Sequence, residues 1–92
     1  MLKLLGNDIY RESEKIGWIE GDHIFAHDGK KLGYFDTKYI YSVDADRIAY
    51  IEGDELLDAS GNRKAHLEEI TEAIEGVLSV PCKCAIYVLI GV

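Results

Sequence analysis

Four residues with side chains capable of metal or acid–base chemistry recur at nearly equal intervals. They are Asp8, His23, Tyr39 and Glu55. Carboxylate oxygens and imidazole nitrogens are common ligands of divalent cations, so this polar ring would form a metal or small-molecule site if the segments that carry it converged. Glu20 and Glu52 would lie close by. The alternative interpretation is that the four residues are polar only because they follow solvated turns.

Cys82 and Cys84 are the other residues with possible ligand chemistry. A structural zinc site usually has four ligands, and the sequence offers no second cysteine pair. Free cysteine is among the most buried residue types, so we interpret both as buried structural residues. The sequence also lacks a phosphate-binding loop, a nucleophile elbow and a zinc-protease helix motif. We therefore expect no catalytic residues, no cofactor and no enzymatic activity.

A repeat of about sixteen residues positions the polar ring. The segments that begin at Ile16, Leu32 and Ile48 share a pattern of an aliphatic residue, a small residue, an aromatic residue and a hydrophobic residue, and a shorter copy begins at Met1. Each copy has two β-rich runs around a two-residue link, as is typical of a β-hairpin. The links are Gly6-Asn7, Gly21-Asp22, Thr37-Lys38 and Gly53-Asp54. The sequence predicts a mainly β protein with four tandem hairpins, over residues 1–15, 16–31, 32–47 and 48–63.

A two-residue turn fixes the register of a hairpin, so the cross-strand pairs can be predicted. On one face, three of the pairs are aliphatic and the fourth joins an aromatic to an aliphatic residue. The pairs are Leu4 with Ile9, Ile19 with Ile24, Phe35 with Ile40, and Ile51 with Leu56. The pairs on the other face are mostly aromatic: Lys3 with Tyr10, Trp18 with Phe25, Tyr34 with Tyr41, and Tyr50 with Leu57. Small residues at Gly17, Gly33 and Ala49 would let backbones approach on the aliphatic face, so we expect the core there.

The second face carries the candidate binding residues. They are Trp18, Tyr34, Tyr50, Tyr10, Phe25 and Tyr41. Aromatic side chains dominate binding where they are exposed and core stability where they are not. Either they form a binding surface, or the C-terminal helix and a second copy of the chain cover them.

The links between the hairpins predict one irregular turn. Gly29 and Gly61 occupy positions that suit a left-handed residue, but Ala45 occupies that position in the third copy. Because alanine is strained in this conformation, we expect the turn at 44–46 to differ from the others.

The two-residue alternation of side chains that is typical of β-strands ends after Arg63. Leu67, Ile70 and Ile74 lie on one side of a predicted amphipathic helix over residues 64–79, with glutamates on the other side. Pro81 would end this helix. The residues from Cys84 to Val92 are continuously apolar, and this tail predicts a buried strand over 82–92. The whole chain, 1–92, is interpreted as one domain.

Charge and hydropathy restrict the class of partner. Seventeen acidic residues against ten basic ones give a formal charge of −7, which opposes binding to nucleic acid and to anionic lipids. No apolar run reaches the roughly 20 residues of a membrane-spanning helix, and no export signal is visible, so we expect a cytoplasmic protein.

The hairpins, with their small-aromatic-hydrophobic openings and glycine turns, resemble the bacterial four-fold β-flower domain. The resemblance covers residues 1–63 and implies hairpins arranged around a pseudo-fourfold axis, but no particular activity. We therefore predict a non-catalytic protein-interaction or structural module that binds a protein partner or self-associates. The alternative is a protein that binds a small molecule or a divalent metal through the polar ring, either as a binding protein or as an enzyme.

Overall fold

The computed structural model describes residues 1–91, which form a ten-stranded sheet and two helices. The hairpin strands are β1 (Leu2–Leu5), β2 (Asp8–Arg11), β3 (Glu14–Glu20), β4 (His23–Ala26), β5 (Lys31–Phe35), β6 (Tyr39–Ser42), β7 (Arg47–Glu52) and β8 (Glu55–Asp58). The remaining elements are β9 (Arg63–His66), α1 (Leu67–Ala73), β10 (Ile74–Glu75) and α2 (Val80–Leu89).

The mainly β architecture and the four hairpins are confirmed. Strands β1 to β9 lie side by side in chain order, and β10 pairs in parallel with the free edge of β1. All eight predicted cross-strand pairs occur in the predicted register. The glycine of each Gly-first turn has a positive φ of 61° to 63°. A left-handed first residue is what tight hairpin turns require, so local turn chemistry sets the register.

Successive hairpins also pair with each other, through strands that carry a regular β-bulge. The register shifts between Ile9 and Tyr10, and at the equivalent place in every later copy. A bulge bends a strand and increases its twist. The sheet therefore curves, and helix α1 connects β9 at one end of it to β10 at the other.

The core lies on the aliphatic face, as predicted. Leu2, Ile9, Ile24, Ile40 and Leu56 are almost fully buried and pack in one cluster with residues of both helices. Helix α2 approaches β5 at Gly33, where an added Cβ would lie 2.9 Å from a methyl group of Leu89 and would also clash with the Tyr41 carbonyl. The small residues of the repeat are thus required by close backbone packing.

The predicted helix over 64–79 is wrong in its extent. Arg63–His66 is strand β9, because Ala65 pairs with Leu56 and takes the place that Gly17, Gly33 and Ala49 hold in earlier copies. The helical segment is only Leu67–Ala73, and Ile74 then pairs with Leu2. Gly76, with φ of 142°, turns the chain beside Leu4.

The predicted strand over 82–92 is also wrong, since helix α2 occupies most of this segment; Val92 lies outside the described residues. Ser79 caps the helix, because its hydroxyl oxygen accepts a hydrogen bond from the Cys82 backbone N–H at 3.3 Å. Pro81 lies in the first turn, where a missing N–H leaves no helical bond unmade, so it begins a helix instead of ending one. Residues 82–86 are all buried, the charged Lys83 among them, and burial on every side explains why the apolar residues from Cys84 onward show no helical periodicity.

The third inter-hairpin turn does not differ from the others, contrary to the expectation for Ala45. Ala45 has φ of 71°, beside 91° for Gly29 and 89° for Gly61, and its N–H donates to the equivalent carbonyl, that of Ser42, at 3.0 Å. The alanine therefore adopts the left-handed conformation that its neighbours in the repeat reach with glycine. The surrounding sheet imposes this turn on it.

Within residues 1–91, neither helix has the length and hydropathy needed to cross a membrane.

Candidate functional site

The candidate site is the sheet surface opposite the core, which we call the aromatic face. It carries all six predicted aromatic residues: Trp18, Tyr34, Tyr50, Tyr10, Phe25 and Tyr41. None of them belongs to the core cluster, to which both helices contribute, and each is partly exposed. The helices therefore cover the aliphatic face and leave the aromatic face open.

Side chains on the aromatic face are aligned in rows that cross the strands. The first row is Leu5, Asp8, Trp18, Phe25 and Lys31. The central row is Glu20, His23, Tyr34, Tyr41 and Arg47. The third row is Asp36, Tyr39, Tyr50, Leu57 and Arg63. Each row begins one hairpin later than the last and ends on a cation.

The aromatic rings within a row are in contact. Trp18 and Phe25 stack with ring centroids 5.3 Å apart, and Tyr34 and Tyr41 stack at 4.7 Å, in both cases with nearly parallel planes. Tyr39 and Tyr50 are tilted by 46° at 6.2 Å. Such pairs stabilise a sheet by roughly 0.5–1.5 kcal/mol beyond the area they bury. The aromatic side chains are therefore ordered against one another within each row.

Four cations on this face were missed by the sequence reasoning. Lys15, Lys31, Arg47 and Arg63 end the four repeat copies and are sixteen residues apart. Each of them pairs, beside a bulge, with an aromatic-face residue on the preceding strand. The pairs are Lys15 with Tyr10, Lys31 with Phe25, Arg47 with Tyr41, and Arg63 with Leu57. The signal was available as a conserved charge at a fixed place in the repeat. The openings of the copies do not reveal it, because these basic residues stand at the ends of the copies.

Three of the cations lie over aromatic rings. The Lys15 and Lys31 ammonium groups are 5.5 Å and 5.4 Å from the ring centroids of Trp18 and Tyr34, and the Arg47 guanidinium is 4.1 Å from that of Tyr39. Cations at such distances are attracted by the electron-rich ring faces. The aromatic rings therefore hold these charges at the surface of the face.

The two outermost members of the polar ring form ion pairs with this cation set. Lys15 Nζ lies 3.1 Å from Asp8 Oδ1, and Arg63 Nη1 lies 3.4 Å from Glu55 Oε2. The pairs occupy equivalent places in the first and fourth copies. All four side chains are more than a third exposed, so these contacts contribute little to stability.

The polar ring does not converge on one point. Asp8, His23, Tyr39 and Glu55 lie on alternate strands, so neighbours are about 10 Å apart, two strand spacings. Among residues 1–91 there is no group of three or more histidine, cysteine, aspartate or glutamate side chains placed to hold a metal ion. The geometry that the metal hypothesis required is therefore absent from this part of the chain.

His23 has a different surrounding from the other ring members. Its Nε2 lies 3.3 Å from Asp22 Oδ1, and its ring is tilted against Tyr34 at 5.6 Å. Nδ1 is buried and has no hydrogen-bond partner within the described chain. The histidine is thus packed into the central row as an aromatic residue.

Asp36 fixes the start of the third row. Its Oδ1 accepts hydrogen bonds from the Lys38 and Tyr39 backbone N–H groups, at 2.8 Å and 2.7 Å, and Oδ2 accepts from the Tyr41 hydroxyl at 2.9 Å. The backbone hydrogen bonds lower the pKa of Asp36, and the bond to the carboxylate raises the pKa of Tyr41. The carboxylate thereby replaces the glycine that this turn lacks.

The two cysteines lie in helix α2, and their burial argues against a role as metal ligands. Cys82 and Cys84 are both buried and reduced, and burial raises the pKa of each thiol to about 11. A thiol that stays protonated at neutral pH is a poor nucleophile and a poor metal ligand.

Two open clefts lie at the ends of α2. One of about 570 Å³ is lined by Asp58, Lys64, Tyr87 and their neighbours, and one of about 520 Å³ by residues that include Phe35 and Pro81. Neither is lined by any of the six aromatic residues. The clefts thus reach the aromatic face at the two ends of its third row, Arg63 in the larger cleft and Asp36 in the smaller one.

Comparison with known proteins places the chain by its repeat. No curated protein and no solved structure matches the chain. The family model described as "4-fold beta flower protein" matches residues 9–81, which include most of the hairpin array and both the first helix and the start of the second. This range is well over half of the sequence, and the four hairpins observed here are the architecture that the description names. The chain belongs to the family of 4-fold beta flower proteins.

Proposed function

We propose that this protein is a non-catalytic protein-interaction module and that its aromatic face is the contact surface. The observation that carries the proposal is the set of ordered cross-strand rows, in which stacked aromatic rings end on cations, on the sheet face that neither helix covers. Tyrosine, tryptophan and arginine are the residue types most enriched among the residues that dominate binding energy.

The stacking of aromatic side chains on this face supports a binding role. Side chains that are already stacked lose little conformational entropy when a partner covers them, which favours affinity. The stacked pairs Trp18–Phe25 and Tyr34–Tyr41 lie next to each other on four successive strands. They offer two neighbouring apolar patches, separated by His23 and Lys31, and the charged ends of the rows form the rim of the surface.

The charge distribution favours a protein over a nucleic acid. The rows, together with Lys3, Lys15, Glu52 and Glu55, contain five cations and five carboxylates, so the face is close to neutral. The rest of the chain carries the −7 charge. A neutral aromatic surface surrounded by negative charge repels a phosphate backbone but accepts a polypeptide surface of mixed charge.

The proposal is tested by site-specific photo-crosslinking. A benzophenone amino acid in place of Tyr34 keeps an aromatic ring at the centre of the central row. We expect covalent adducts with polypeptides in the producing cell. The polypeptide identified should then bind the purified chain, and Tyr34→Ala should weaken that binding roughly tenfold or more.

The matched control carries the same amino acid at Glu72, which is exposed on α1, an element of the opposite side of the sheet. Adducts that form equally from positions 34 and 72 would overturn the proposal, as would the absence of any adduct from position 34.

A further inference from the structure

We infer that the occupant of the aromatic face is a second copy of this chain, related by a twofold axis that passes close to Tyr34. This inference rests on the proposed function, because it names the partner of the same surface. It is carried by the charges at the two ends of the central row.

The charges that end the central row form no direct ion pair in their own chain, although Arg47 is close enough to Asp36 to help lower the pKa of that carboxyl. Glu20 and Arg47 are both exposed, and neither takes part in an ion pair within residues 1–91. In contrast, the equivalent cations of the first and fourth copies, Lys15 and Arg63, are paired with carboxylates. Of the four cations that end the repeat copies, the two in the middle of the array, Lys31 and Arg47, are thus the ones without an ion pair in residues 1–91.

Glu20 and Arg47 cannot pair with each other inside one chain. They lie on β3 and β7, four strand spacings apart, which is about 19 Å. In a twofold dimer whose axis runs along β5, the row of the second copy is reversed. Glu20 of one copy then faces Arg47 of the other, twice, and the two Tyr34 rings meet at the centre.

The charge of the rest of the molecule opposes other arrangements. The chain has twelve carboxylates and five cations outside the aromatic face, several of them in the exposed turns and on α1. Two copies that approach through these surfaces repel each other, whereas the neutral face does not oppose contact. Like-charge repulsion elsewhere therefore directs association to this face.

The test is a charge exchange measured by sedimentation equilibrium on the full chain. The unmodified protein is expected to show a concentration-dependent dimer. Glu20→Arg and Arg47→Glu should each weaken the dimer by at least about tenfold, because each brings like charges together twice. An equimolar mixture of the two variants should restore dimerisation, since the mixed dimer contains two opposite-charge pairs.

Glu72→Arg is the control for net charge, because it changes the charge by the same amount as Glu20→Arg at an exposed site on α1. It should leave the dimer unchanged. Circular dichroism checks that each variant is folded. If Arg47→Glu fails to fold because Arg47 contacts the Tyr39 ring, a mixture of Glu20→Arg with Arg47→Gln replaces it, with partial restoration expected.

The inference is overturned if the unmodified chain remains monomeric at millimolar concentration, or if both charge variants dimerise as well as the unmodified chain. The photo-crosslinking result separates this failure from failure of the proposed function. A monomeric chain that crosslinks from position 34 to a different protein retains the proposed function and loses only the second copy. An adduct of two copies of the chain supports both.

Discussion

The Tyr41 hydroxyl donates a hydrogen bond of 2.9 Å to the Asp36 carboxylate, and this contact joins the central row of the aromatic face to the third. The other oxygen of the carboxylate accepts from two backbone N–H groups of the turn at Thr37-Lys38. One side chain thus fixes both a hairpin turn without glycine and an aromatic ring of the candidate site.

Replacing Asp36 should therefore weaken the third hairpin. Asp36→Ala removes the acceptor for two turn N–H groups, and we expect the free energy of unfolding to fall by about 1 kcal/mol. Urea denaturation measures it. Asp44→Ala is the matched control, because Asp44 is an exposed turn carboxylate for which the structure shows no side-chain hydrogen bond. Equal losses in the two variants would contradict the role given to Asp36.

Stability should decrease on acidification below about pH 4, the ordinary range of an aspartate pKa. Hydrogen bonds from backbone N–H groups lower the pKa of Asp36, chiefly from Tyr39, and that of Asp58, chiefly from Asn62. As the pH falls, these carboxylates therefore take up protons in the unfolded chain before they do so in the folded one. Their contribution to the free energy of unfolding is complete above the pKa of the unfolded chain, and it is lost as the pH falls through the pKa of the folded chain.

Urea midpoints between pH 5 and pH 2 would measure this loss. In Asp58→Asn the fall should be shallower than in the unmodified chain, while Asp44→Asn should retain the full slope. If the urea midpoint changed with pH equally in both variants, other carboxylates would be responsible for the acid sensitivity.

Ala45→Gly should stabilise the protein by about 0.5–1 kcal/mol. Ala45 has φ of 71°, and release of left-handed strain outweighs the greater entropy of glycine in the unfolded chain. Thermal unfolding measures the change. Ala59→Gly serves as the control, because Ala59 lies in the equivalent turn of the next copy without a positive φ, and should be destabilising. A lower melting temperature for Ala45→Gly would show that the turn is not strained.

Cys82 and Cys84 should resist thiol reagents at pH 8 in the folded protein and react in urea. Burial raises the pKa of each thiol to about 11, so the reactive thiolate is scarce in the native state. Above about pH 9 the unfolded chain loses these protons before the folded one does, and stability should decline towards pH 11. Colorimetric thiol counts check the reactivity. Rapid native labelling of either cysteine at pH 8 would contradict its burial.

The hairpins could be predicted because their determinants are local. Gly6, Gly21 and Gly53 select turns whose length fixes the pairing of the residues on both sides. The core and the aromatic face then follow from alternation alone. Two of the site's features needed the structure. The bulges bring Lys15 and its equivalents onto the face, and the order of the hairpins in space aligns aromatic residues of different copies into rows.

The C-terminal third could not be predicted from local patterns. Arg63–His66 is a strand because β8 offers it a partner. Residues 84–89 are helical although their apolar run has no helical period. Pro81 is compatible with both a helix end and a helix start, so its role depends on the cap that Ser79 provides. In each case tertiary contacts determined the structure.

Helix α1 has seven residues and is about 10 Å long, and it is the link between the last strand of the array and the strand that covers the first. A fifth hairpin would widen the gap between β9 and β10 by two strand spacings, again about 10 Å. A helix of this length would not reach across it. The length of helix α1, which closes the array, thereby limits the number of hairpins to four. Homologous chains with more hairpins would need a longer connection between β9 and β10.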